Sequence, residues 1–339
     1  MKKLFLSLYV LPLFCVAAPV EWESTHYIWN FGLIQCSNKG LTKRPREYFF
    51  NDYSYHKSAY QNMNAGDIVW IRGRFLQNFC EDILPALNKP IVLLIADGDE
   101  SFPSNCGKEF YIHTLLANPY IVHVFAQNNE ITGNSKVTSI PIGIDFHTIA
   151  YKGSAGGWGE KGLPSEQELK LSSILKELKP TYLRKKRIYV DFHLSDTMHG
   201  EFKRYLQFGE DRKKIFEVLL RTNRIDYSSS FMRRSELWKK KGEYAFSVSP
   251  HGNGLDCHRT WEDLALGCIV IVKTSPLDQL YEGLPVIIVK DWSEITTENL
   301  DKWIEQYGDA FANPCYREKL THAYWFSKIE AVAQKYRIR

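Results

Sequence analysis

The segment Tyr244-Ala245-Phe246-Ser247-Val248-Ser249-Pro250-His251-Gly252-Asn253-Gly254-Leu255-Asp256-Cys257-His258-Arg259-Thr260-Trp261-Glu262 joins a short strand, a glycine turn and the start of a helix. Tyr244 to Val248 has strand character, and Pro250, Gly252 and Gly254 end it abruptly. Asp256 is placed to cap the helix, in which Trp261, Leu264 and Ala265 recur at helical spacing. Gly267 reads as the helix stop, and Cys268 to Val272 is the unbroken apolar run of a strand covered on both faces. A second apolar run, Leu284 to Val289, precedes a helix through Leu300, Trp303 and Ile304 that Ser293 or Thr297 could cap. Strand and helix therefore alternate, which predicts an α/β fold with parallel sheets.

The turn also predicts chemistry. Free N–H groups at a helix start attract anions, and glycines at 252 and 254 would let backbone approach a diphosphate. Arg259 in the first turn offers a guanidinium that can bind two phosphate oxygens, and Glu262 three residues later offers a carboxylate for a ribose diol. Each feature alone has a plainer explanation: a glycine loop, or a solvated ion pair between positions three apart. Dinucleotide binding of the Gly-x-Gly-x-x-Gly kind is disfavoured, because Cys257 stands where the third glycine belongs.

These residues resemble the C-terminal half of exostosin-like glycosyltransferases, with Ser-Pro-x-Gly-x-Gly, then Arg-x-x-Glu on a helix, then Gly-Cys and a Pro-containing strand leading to Asp-Trp-Ser. The match runs from Tyr244 to Ile295, and Lys185 to His193 looks like the first strand of the same unit. Val270 departs from the family's usual proline. The resemblance implies two facing Rossmann-like domains of GT-B type with a cleft between them. It also implies a nucleotide-sugar donor, UDP-linked, in the C-terminal domain, a glycan or other hydroxyl acceptor, and inverting transfer with no required cofactor or metal. Donor-binding residues would be Ser249, His251, Gly252, Asn253, Gly254, His258, Arg259 and Glu262.

The N-terminal half reads as a second α/β unit. Strands are expected at Asp67 to Ile71, Pro90 to Ala96, Ile121 to Ala126 and Val137 to Ile140, with a helix over Phe79 to Leu87. The general base of an inverting transfer should come from this half. Asp97 and Asp145 are the favoured candidates, with Asp99 and His113 behind them. Asp97 and Asp99 flanking a glycine also admit a metal-dependent alternative, and a catalytically silent carbohydrate-binding or scaffold protein is the other alternative.

The 339 residues, 44% of them apolar, suffice for two cores. A net charge of +4 does not suggest nucleic-acid binding, and the clusters at 184–187 and 239–241 read as solvated strand approaches. Lys2-Lys3, an apolar run over 4–18 and the small residues Val16-Ala17-Ala18 resemble a signal peptide, so export or a lumenal location is expected; a membrane anchor through 4–18 is the alternative. The expected plan is a signal segment over 1–18, an acceptor-side domain over 19–150, a glycine-rich linker and bridging helix over 151–183, a donor domain over 184–315, and a returning helix over 316–339.

Overall fold

The computed structural model describes residues 25–40, 55–152, 158–192, 194, 212–228, 230–309 and 312–337. The expected signal segment and residues 153–157 of the expected linker lie outside the described residues.

Two all-parallel sheets organise the chain. The first holds β1 (Asp67–Ile71), β2 (Ile91–Ile95), β3 (Ile121–Ala126) and β4 (Val137–Ser139) in chain order. The second holds β5 (Lys185–Val190), β6 (Ile225–Tyr227), β7 (Tyr244–Val248), β8 (Ile269–Lys273) and β9 (Val286–Val289), ordered β6-β5-β7-β8-β9. These are two Rossmann-like units, the architecture that the resemblance implies.

Strand burial explains the apolar runs. Every residue of β1 and of β2 is buried, because helices cover both faces of the sheet. Val69 and Ile71 face one cluster with Leu76, Phe79 and Leu115, whereas Ile68 and Trp70 face another with Trp325 and Ile329. This second cluster continues into the C-terminal half through Trp261, Leu264 and Val270, so one core joins the two units. Burying each such side chain stabilises the fold by about 1.5–3 kcal/mol.

Three expectations shift at element ends. The helix expected over Phe79 to Leu87 begins earlier, at Leu76–Asp82, and Pro85 turns its continuation into a short 3-10 turn, Leu84–Ala86. Thr296 caps Thr297–Tyr307, its hydroxyl accepting from Asn299 N at 3.2 Å, in place of Ser293 or Thr297. The C-terminal tail divides into Pro314–Glu318 and His322–Arg337, separated where Thr321 forms a bridge with Tyr27. The last helix returns to the first sheet, packing on β1 and β2, and Arg337 Nε donates to Gly66 O at 3.0 Å. Among the described residues, no helix is long and apolar enough to cross a membrane.

Within the second unit the strand order is 2-1-3-4-5, so the direction of winding reverses between β5 and β7. In such sheets ligands collect outside the C-terminal strand ends at this reversal. Segments after β3 and β4 meet the turn after β7, so the C-terminal edges of the two sheets face each other.

Candidate active site

The glycine turn is built differently from its sequence expectation. Cys257 occupies the cap position of the helix His258–Ala265 and makes no side-chain cap bond. Asp256 is fully engaged beside it. Its Oδ2 accepts from Ile142 N at 2.8 Å and from Trp261 Nε1 at 2.8 Å; its Oδ1 accepts from Cys257 N at 2.9 Å and Tyr281 Oη at 3.3 Å. The carboxylate thus ties the two halves together rather than capping the helix.

Gly254 serves the same junction. A Cβ there would stand 2.9 Å from Asn128 Nδ2, and Asn128 Oδ1 accepts from Asp256 N at 2.8 Å. At Gly252 a Cβ would approach Cys257 Sγ at 3.2 Å, and Gly252 N donates to Gly254 O. The expected phosphate cradle is therefore corrected at 252, 256 and 257, whose N–H groups already have protein acceptors. His251 is buried, with Nδ1 2.7 Å from Leu255 O, and shapes the turn from inside. Ser249 is also internal, its hydroxyl accepting from Thr260 Oγ1 at 2.9 Å. Asn253 Oδ1 is buried with no hydrogen-bond partner among the described residues.

One helical turn on, a cavity of about 470 Å³ opens at the C-terminal ends of β5 and β6. Arg259, Glu262 and His258 form one wall, and Tyr189, Phe192, Phe216, Tyr227 and Phe231 supply aromatic surface. Its volume suits a drug-sized or nucleotide-sized ligand. Asp145 and Trp158 complete the lining.

A buried charge network aims Arg259. Arg259 Nε pairs with Asp191 Oδ1 at 2.6 Å, and Asp191 Oδ2 accepts from Lys241 Nζ at 2.7 Å. Lys241 also pairs with Asp263 at 2.5 Å, and Asp263 accepts from Ser247 Oγ. Burial pushes the Asp263 carboxyl up to about 6, against the pull of Lys241. Burial raises Asp191 as well, but Lys241 and Arg259 together hold it below its ordinary value. Arg259 Nη1 is buried without a hydrogen-bond partner among the described residues. A buried cationic donor of this kind is costly unless an acceptor meets it.

Glu262 is fixed by Arg234 Nη1 at 3.2 Å and Trp238 Nε1 at 3.3 Å. Each carboxylate oxygen retains acceptor capacity beyond these single bonds. Arg234 also donates to Asp145, from Nη2 to Oδ2 at 2.8 Å and from Nη1 to the backbone oxygen. Asp145 further pairs with His147 at 2.8 Å. Burial opposes ionisation of Asp145, yet His147 and Arg234 hold it well below the usual carboxylate range. It therefore behaves as a fixed anion and takes up protons poorly, which counts against a role as base.

Asp97 follows β2 and carries an unusual positive φ of 69°. It pairs with Arg72 at 2.5 Å, and burial raises its proton affinity despite that pairing. Asp97 and Asp99 belong to no group of three or more His, Cys, Asp or Glu side chains that could share one ion among the described residues, whereas Asp145, His147 and His258 form such a group. His113 is remote from this junction, on an exposed helix face beside Glu109. Sequence reasoning missed Arg234, Trp158, His147 and the aromatic wall, since none belongs to a local spacing pattern. Asp191 was legible only as the end of a strand.

No family model matches the chain, and no curated protein matches it. Among solved structures it is similar to a UDP-forming α,α-trehalose-phosphate synthase from Burkholderia xenovorans, at 12% identity over 90% of this chain and 85% of that one, with a TM-score of 0.40. An α,α-trehalose 6-phosphate synthase from Burkholderia multivorans gives 13% identity over 82% and 74%, with a TM-score of 0.39. The N-terminal domain of trehalose-6-phosphate phosphatase from Candida albicans gives 12% identity over 90% and 81%, with a TM-score of 0.43. At these identities and TM-scores the likeness carries no argument about what this chain binds or transfers.

Proposed function

We propose that this chain is an exostosin-like glycosyltransferase that moves a sugar from a UDP-linked donor to a hydroxyl acceptor with inversion. The observation that supports it is the cavity at the winding reversal, where Arg259 presents an unpartnered buried nitrogen beside Glu262. The nucleotide's base meets the aromatic wall, the diphosphate meets Arg259 and the helix start, and the ribose diol meets Glu262. Charge developing on the leaving diphosphate is then stabilised by a guanidinium whose direction Asp191 has already fixed. Such pre-organisation avoids reorientation at the moment of transfer. No cofactor is required for this chemistry.

Of the two carboxylates expected as base, Asp97 suits the task better than Asp145. It stands at a strand end of the acceptor half, and burial favours its protonated form. Ser249 and His251 support the turn, so their part in donor binding is indirect.

Release of nucleoside diphosphate from a panel of nucleotide sugars, alone and with glycan acceptors, tests the assignment. Wild-type protein should turn over at least one UDP-sugar, and Glu262→Gln should raise KM for it. Turnover of none, together with no nucleotide binding, would favour a silent carbohydrate-binding protein.

A further inference from the structure

We propose that Asp145, His147 and His258 bind one divalent transition-metal ion across the junction of the two halves. Each offers one ligand atom, and these atoms lie within 4.8 Å of one another. Asp145 and His147 belong to the segment after β4, whereas His258 opens the helix His258–Ala265 of the other half.

Two ligand atoms about 2.1 Å from a metal are about 3.0 Å apart at right angles and about 4.2 Å apart when opposite. His147 Nδ1 and Asp145 Oδ1, at 2.8 Å, fit the first case. Separations of up to 4.8 Å exceed the opposed distance by about 0.6 Å and the tetrahedral distance of about 3.4 Å by more, so the side chains draw together by rotation when the ion binds.

The surroundings resemble those of a metal site. His258 Nδ1 lies 2.7 Å from Gly143 O and donates to it, which leaves Nε2 as the ligand atom. Asp145 Oδ2 is held by Arg234, so the carboxylate cannot swing away. Arg234 is a cation, but it is shared between Asp145 and Glu262. Two nitrogens and one oxygen favour zinc, iron, cobalt or nickel over magnesium or calcium. The ion's role is architectural, clamping the loop after β4 to the helix start. The site does not depend on the glycosyl-transfer assignment, because the metal alone is the ligand.

The test is titration of untagged, chelator-treated protein with Co²⁺, followed by the visible ligand-field band and by calorimetry. A single equivalent per chain is expected, with affinity at least about 10-fold lower in both His147→Gln and His258→Gln and no competition from Mg²⁺. The thermal unfolding midpoint should rise with Co²⁺ in wild type and not in the variants. Absence of a ligand-field band, or binding unchanged in both variants, would overturn the proposal. Should either variant fail to fold, X-ray absorption on the wild-type complex decides: two imidazole nitrogens support the site and fewer refute it.

Discussion

Asp256 Oδ2 accepts the backbone N–H of Ile142 at 2.8 Å, so a residue of the glycine turn in one half terminates a hydrogen-bond deficit in the other. Asn128 answers it from β3's end by accepting from Asp256 N. This reciprocal clasp sets how the two sheet edges meet, and with them the cavity.

Asp256→Asn should lose the clasp at nearly constant volume. Asn has one acceptor oxygen where the carboxylate's two oxygens meet four donors, leaving buried N–H groups unpaired. A loss of about 2–4 kcal/mol in urea unfolding is expected; a change below about 0.5 kcal/mol would show that water replaces these bonds.

Gly254→Ala should destabilise by about 1–3 kcal/mol, because the new methyl stands 2.9 Å from Asn128 Nδ2. Asn128 is fully buried, and its amide also donates to Gly98 O at 3.1 Å, so it cannot step aside freely. Chemical denaturation measures the loss, and the double variant with Asn128→Ala should recover part of it.

Arg259→Lys should weaken UDP binding by about 10-fold or more while leaving the unfolding midpoint close to wild type. An ammonium keeps the pairing with Asp191 but cannot also reach the diphosphate through a second nitrogen. Calorimetric titration of UDP reads the affinity. Equal affinity in variant and wild type would remove Arg259 from the site.

His322 predicts a pH dependence. Burial pushes its imidazole down to about 3, and Nε2 lies 3.0 Å from Thr25 Oγ1. The folded state binds this proton less readily than the unfolded chain, whose histidine titrates near 6.5. The contribution to stability is therefore complete above about pH 6.5 and is lost as pH falls towards 3, by at most about 1.4 kcal/mol per unit. Unfolding at pH 7 and pH 5 should show a larger drop in wild type than in His322→Gln; parallel drops would contradict it.

Much of the fold was legible because the two sheets are covered on both faces. The runs Ile91 to Ile95 and Ile269 to Val272 stand out as apolar without needing to know their partners, and Gly267 takes the φ of 79° that a helix stop requires. Arg259 and Glu262 were legible as neighbours on one helix. Asp256 was misjudged because capping is a local rule, and two of its four donors, Ile142 N and Tyr281 Oη, lie far away in sequence. Arg234 joins Asp145 to Glu262 for the same reason: the link exists only once the halves meet. Gly254 carried the right signal, close approach of another group, but the group is Asn128.

The most direct measurement is a crystal structure with UDP bound. A diphosphate oxygen should lie within about 3 Å of Arg259 Nη1, with the ribose hydroxyls on Glu262. Nucleotide bound elsewhere, with Arg259 contacting Asp191 alone, would contradict the account.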